Sequence, residues 1–180
     1  ELTGAQKRVI NEIYKDMNSE RVMNRLLQGD VGSGKTIVAL IAIMIAVDNG
    51  FQTAFMCPTE ILAEQHYKTI TDFITKINEV REGSDVEKIK VSILIGGQKK
   101  KLRGEILEDI QSGKSDIVIG THALFQDKVE FKNLGFVVID EQHKFGVMQR
   151  ARLKQKGENP DTLVMTATPI PRTLSLTYYG

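Results

Sequence analysis

Apolar positions in this chain fall into short dense runs separated by longer stretches of mixed character. The runs at 24–28, 53–57, 91–95, 117–119, 136–139 and 162–165 predict strands. Three of them are dense in Val and Ile without polar alternation, the pattern of strands buried on both faces. Between the runs, 3–17, 35–48, 61–77, 101–111 and 147–155 have helical length and spacing. Alternating strands and helices predict an α/β fold, a mostly parallel sheet with helices on both faces. Ligands of such sheets meet the carboxyl ends of the strands, so chemistry is expected there. The charged stretch 78–90, with Gly83-Ser84-Asp85, reads as a solvated loop. The longest apolar run, 37–47, falls short of the about 20 residues a membrane helix needs and reads as a buried helix.

Length and composition change this picture little. A chain of 180 residues, 41% hydrophobic and 26% charged, is expected to form one domain with a sizeable core. The net charge of +1 and a pI near 8.1 give no overall basicity, so any nucleic-acid face must come from local clustering. The single cysteine, Cys57, allows no internal disulfide; it fits a reducing cytosol and is expected to be a small core residue. The opening Glu1-Leu2-Thr3 carries no signal peptide, and the missing initiator Met suggests a piece of a longer protein.

The candidate chemistry starts after the first strand, at Gly29-Asp30-Val31-Gly32-Ser33-Gly34-Lys35-Thr36. This satisfies the phosphate-loop pattern G-x-x-x-x-G-K-[ST] in full. Its glycines permit backbone turns closed to other residues, so that successive N–H groups can line a nest for phosphate oxygens. The following helix adds its positive dipole end. Lys35 is expected at the β- and γ-phosphates and the Thr36 hydroxyl on Mg²⁺. The strand 136–139 then delivers Asp140-Glu141-Gln142-His143, the Walker B arrangement. Asp140 is expected to hold Mg²⁺ through water, and Glu141 to orient and deprotonate the attacking water. ATP and Mg²⁺ are thus the expected ligands. His143 at this strand end and Thr166 and Thr168 at the next are placed to hydrogen-bond across the sheet, coupling the ATP site to a moving element.

Taken in order, these motifs resemble the first RecA-like domain of superfamily 2 helicases, and more closely the RecG-type branched-DNA helicases. The resembling stretches are Leu2-Thr3-Gly4-Ala5-Gln6, Arg25 through Thr36, Pro58-Thr59-Glu60-Ile61-Leu62-Ala63-Glu64-Gln65-His66, Gly120-Thr121-His122-Ala123-Leu124, Asp140 through Val147, and Met165 through Leu174. They cover nearly the whole chain. Lys144 departs from the more usual arginine and keeps the charge without the fork geometry. Gln142 separates the chain from the related transcription-repair coupling translocases, whose box usually reads Asp-Glu-Glu-His.

The resemblance implies that Gln6 reads the adenine. It also implies that Pro58-Thr59, Gly96-Gly97 and Thr121-His122 meet the DNA backbone, for which short polar side chains and bare amides are suited. Residues 1–180 would then be one RecA-like domain of a monomeric cytoplasmic motor on double-stranded or branched DNA. A second RecA-like domain with arginine fingers and a DNA-recognition wedge would lie outside it, leaving this part alone nearly inactive. The run Lys99-Lys100-Lys101-Leu102-Arg103 stays open between a solvated helix face and a position near DNA, and the basic stretch 150–156 reads as surface. Two other classes compete with the motor. A P-loop phosphotransferase should carry its own acceptor site and lid, and neither is visible. A non-catalytic ATP-binding module should lack Lys35 or Glu141, and both are present.

Overall fold

The computed structural model describes residues 2–141 and 155–167. Six parallel strands form one sheet in the order β1-β6-β5-β2-β4-β3. They are β1 (Asn24–Gln28), β2 (Gln52–Met56), β3 (Val91–Leu94), β4 (Ile117–Gly120), β5 (Leu134–Asp140) and β6 (Asp161–Thr166). The helices are α1 (Gly4–Met17), α2 (Lys35–Asp48), α3 (Glu60–Arg81) and α4 (Lys100–Ser112), with a 3₁₀ turn at His122–Phe125. The parallel α/β fold matches the one expected. The helix anticipated at 147–155 falls almost wholly outside the described residues.

The two-residue period of the strands sorts their side chains onto two faces. Phe55, Ile117, Ile119, Phe136, Val138, Leu163 and Met165 join one buried cluster with Ile13 of α1, Val38, Ala39, Leu40 and Ile43 of α2, and Ile70 and Ile74 of α3. Their strand neighbours Ala54, Met56, Val118, Val137, Ile139 and Val164 join the other, with Ile106 and Ile110 of α4 and the 3₁₀ residues Ala123, Leu124 and Phe125. Helices therefore cover both faces, and this is why β2 and β4 are buried along their whole length. No helix among the described residues is long and apolar enough to cross a membrane. The apolar α2 lies instead in the first cluster.

The structure departs from the expected boundaries at 78–81, where α3 continues through Asn78 to Arg81. Asn78 is held there by two bonds to one residue: Ile89 N–H donates to Oδ1 at 2.8 Å, and Nδ2 donates to Ile89 O at 2.9 Å. Arg81 pairs with Asp48 of α2 at 2.5 Å. These long-range partners sustain the helix through a polar segment that carries no apolar signal of its own.

Buried Gln52 repairs a break in the sheet. The β2–β5 register shifts between Gln52 and Thr53. At that point Gln52 Nε2 donates to Ile110 O (2.9 Å) and Ser115 O (2.8 Å), while Oε1 accepts from Asn133 N–H (2.9 Å). Cys57, directly after β2, is fully buried, as expected, and its N–H donates to Gly120 O at 2.8 Å. Burial, and then the neighbouring negative charge of Asp140, push its thiol well above the ordinary cysteine range.

Two outcomes follow. Gln52→Leu leaves two buried carbonyls and the part-buried Asn133 N–H without their side-chain partner and should cost about 3 kcal/mol in urea unfolding. A loss below about 1 kcal/mol would show that these bonds are dispensable. The Cys57 thiol, neutral and enclosed, should react with a disulfide reagent at pH 8 only when the protein is denatured. Rapid labelling of the native protein would contradict the burial described.

Candidate nucleotide and nucleic-acid site

The phosphate loop leaves β1 at Gln28 and enters α2 at Lys35. Gly32 (φ +80°) and Gly34 (φ +81°) take up the left-handed backbone that a Cβ would strain. Ser33 N–H donates to Asp30 O at 3.1 Å and closes the turn. Gly34 brings no side chain to cap α2; the Ile37 and Val38 N–H groups meet Gly34 O at 3.1 and 3.4 Å, and the first N–H groups of the helix precede them. The Lys35 ammonium lies over the loop and donates to Gly29 O (2.6 Å) and Asp30 O (2.8 Å).

Gln6 buckles α1 to this loop. Its N–H donates to Thr3 Oγ1 (3.2 Å), and its Oε1 accepts from Thr3 N–H (2.9 Å), a reciprocal helix cap. Its Nε2 donates to Ser33 O at 3.2 Å. A Cβ on Gly34 would run into that same amide. The signal for its capping role stands in the sequence, because Thr3-Gly4-Ala5-Gln6 is a capping-box pattern.

The acidic pair ends β5. Asp140 is buried at 9% exposure, and its Oδ2 lies 3.0 Å from Nε2 of His66 on α3. His66 received no role from the sequence, because nothing local links residues 74 positions apart. Glu141 has φ +50°, a costly conformation for a residue with a Cβ, and of the kind that gathers at functional sites. Bonds among the described residues help hold it there. Its N–H donates to Met165 O (2.9 Å), and its carboxylate accepts from Thr166 Oγ1 (3.3 Å) and Ala167 N–H (3.1 Å).

Because β6 lies between β1 and β5, Thr166 reaches both halves of the site. Its carbonyl accepts from Gly29 N–H of the phosphate loop at 3.2 Å, while its hydroxyl donates to Glu141. His143 and Thr168, expected to share this cross-sheet contact, lie outside the described residues. Among the described residues no group of three or more His, Cys, Asp or Glu side chains gathers to hold a metal. Mg²⁺ bound beside phosphates needs no such cage, since one or two carboxylates, a hydroxyl and water complete its shell. Asp140 and Thr36 are donors of those two types, a carboxylate and a hydroxyl.

The positions expected to meet DNA also sit at carboxyl ends of strands. The Thr59 hydroxyl caps α3 by accepting from Leu62 N–H (3.3 Å), next to half-buried Pro58. Gly96 N–H donates to Glu60 Oε1 at 2.9 Å, so this amide is already engaged, while Gly97 is exposed with φ +68°. Thr121 is buried and its hydroxyl has no hydrogen-bond partner among the described residues; His122, beside it, faces solvent. Within the basic run, Arg103 serves the fold by donating to Ile95 O (3.1 Å) and Gln126 Oε1 (2.7 Å). Lys99, Lys100 and Lys101 are exposed.

Comparison with known proteins gives this geometry a family. The DEAD/DEAH box helicase model matches residues 3–177. The ATP-dependent DNA helicase RecG of Thermotoga maritima is 54% identical over 99% of this chain and 22% of its own length. The Bacillus subtilis RecG is 53% identical over 99% of this chain and 25% of its own length. This chain thus spans about a quarter of such relatives. A solved structure of RecG bound to a three-way DNA junction superposes with a TM-score of 0.78 at 50% identity, covering all of this chain and 23% of that one. The chain belongs to the DEAD/DEAH box helicase family, and it resembles the RecG-type members over its whole length.

Proposed function

We propose that the chain is the ATP-binding, first RecA-like motor domain of a RecG-type helicase. In the intact protein it would couple ATP hydrolysis to translocation on double-stranded DNA and to remodelling of forks and junctions. The observation that carries this reading is the placement of Thr166 between the phosphate loop and the Glu141 carboxylate. Such a bridge suits a motor, in which phosphate binding and water activation must act together.

Residues 29–36 would hold the phosphates, with the Lys35 ammonium turning from its loop carbonyls to the β- and γ-oxygens. Thr36 and Asp140 would hold Mg²⁺, which neutralises developing phosphate charge when bound. Glu141, fixed by Thr166 and Ala167, would orient the attacking water and accept its proton. Gln6 would meet the adenine from its post beside the loop. His143, Thr166 and Thr168 would relay the state of this site. Arginine fingers from a second RecA-like domain of the same protein would complete it, so this domain alone would turn over poorly.

DNA would run along the carboxyl ends of β2, β3 and β4, past Pro58-Thr59, Gly96-Gly97 and Thr121-His122. The lysines favour this course. Lys99 to Lys101 crowd their charge at the N-terminal end of α4, where the helix dipole disfavours cations, and phosphate alongside would relieve the conflict.

Full-length protein should hydrolyse ATP slowly alone and much faster with forked DNA. Glu141→Gln should cut stimulated turnover at least about 100-fold while still binding nucleotide. Undiminished hydrolysis that no DNA stimulates would favour a phosphotransferase instead. Gly34→Ala, forced to φ +81° against Gln6, should weaken nucleotide binding about tenfold or more, because a left-handed residue with a Cβ costs about 1–2 kcal/mol. Fluorescent-nucleotide titration reads that loss directly.

A further inference from the structure

The Asp140 carboxylate sits where water hardly reaches. Its side chain is 13% exposed and that of His66 16%. A carboxylate so placed needs a donor, and His66 Nε2, 3.0 Å from Oδ2, supplies it. An ionised carboxylate only accepts, so Nε2 carries the proton in this bond. The imidazole is itself constrained. Its backbone belongs to α3, and its ring packs on Phe55 of β2 with centroids 4.7 Å apart and planes tilted by 42°. Phe55 is fully buried in the strand beside β5, so the ring rests on a part of the core that cannot easily yield.

We infer that His66 is a positioning residue for the metal-binding carboxylate, fixing Asp140 through Oδ2 so that Oδ1 is left to the hydration shell of Mg²⁺. The inference rests on the ATP-motor reading above. Donors that orient a metal-binding group commonly set the affinity for the ion by about 10- to 100-fold when removed. A bond to one oxygen selects one carboxylate rotamer. Without it, the side chain would have to be ordered by the ion itself. His66 touches neither nucleotide nor metal in this scheme, so its loss should appear in Mg²⁺ dependence rather than in the bare affinity for nucleotide.

The test uses full-length protein with wild type, His66→Gln, His66→Asn and His66→Leu. Gln reaches with its amide to about the place of Nε2; Asn is too short, and Leu fills space without donating. Binding of a fluorescent ADP analogue is followed while Mg²⁺ is titrated into EDTA-treated protein, and DNA-stimulated kcat and KM are measured at saturating Mg²⁺. The Mg²⁺ midpoint should rise about tenfold in the Asn and Leu variants and return towards wild type in the Gln variant. Affinity without metal should stay level across the set. Equal midpoints for Gln and Asn, or an Asn midpoint within about twofold of wild type, would overturn the positioning role. This Gln–Asn comparison decides the matter even if the Leu variant fails to fold. Wild-type protein that binds nucleotide with no Mg²⁺ dependence would sink the motor reading and this inference with it. A Mg²⁺-dependent wild type with unaltered variants would sink the inference alone.

Discussion

A parallel ladder places the last residue of β6 between two loops that must act together. Thr166 accepts from Gly29 N–H through its carbonyl and donates to Glu141 through its hydroxyl. The first contact is backbone to backbone, and the second joins a short hydroxyl to the Glu141 carboxylate. The first is an extension of the β1–β6 pairing that joins Gln28 to Thr166, and the second spans one strand spacing to β5. The relation between phosphate cradle and acidic pair is therefore set by sheet geometry, and the unusual backbone of Glu141 is held by the same strand. Both core clusters serve this arrangement by keeping β5 and β6 fixed from either side.

Much of this was legible in the sequence because it is local. The phosphate loop announces itself by glycine spacing, and the acidic pair by its position after an apolar run. All six predicted strands overlap observed ones, with no end off by more than two residues, and β1 coincides with its prediction. What the sequence did not disclose depends on residues far apart in the chain. His66 meets Asp140, and Gln52 meets three backbone groups, only once the strand order is settled. Nothing in a list of strands states that β6 inserts beside β1. The extension of α3 past Asn78 similarly rests on Ile89 and Asp48. The capping box at Thr3 and Gln6 is a different case: the pattern was local and readable, but its tie to Ser33 was not.

α3 links two regions that the sequence presents as separate. Its first turn carries the Thr59 cap and the Glu60 contact with Gly96, at the face proposed for DNA. His66, seven residues after Thr59, falls on the same side of the helix and reaches the Asp140 carboxylate. A rigid helix with Ala63, Ile70 and Ile74 anchored in the core joins the two.

The position of β1 has a further consequence for how the chain is made. Among the described residues this edge strand pairs only with β6, Asn24 lying opposite Thr162. A ribosome releases residues 24–28 long before 161–166, so the phosphate loop emerges with its supporting strand unpaired. Strands β2, β3 and β4 can associate earlier, since they meet neighbours closer in sequence. Nucleotide-binding geometry would thus be among the last features assembled during synthesis, with Leu26 and Leu27 waiting in the meantime for a partner strand encoded far downstream.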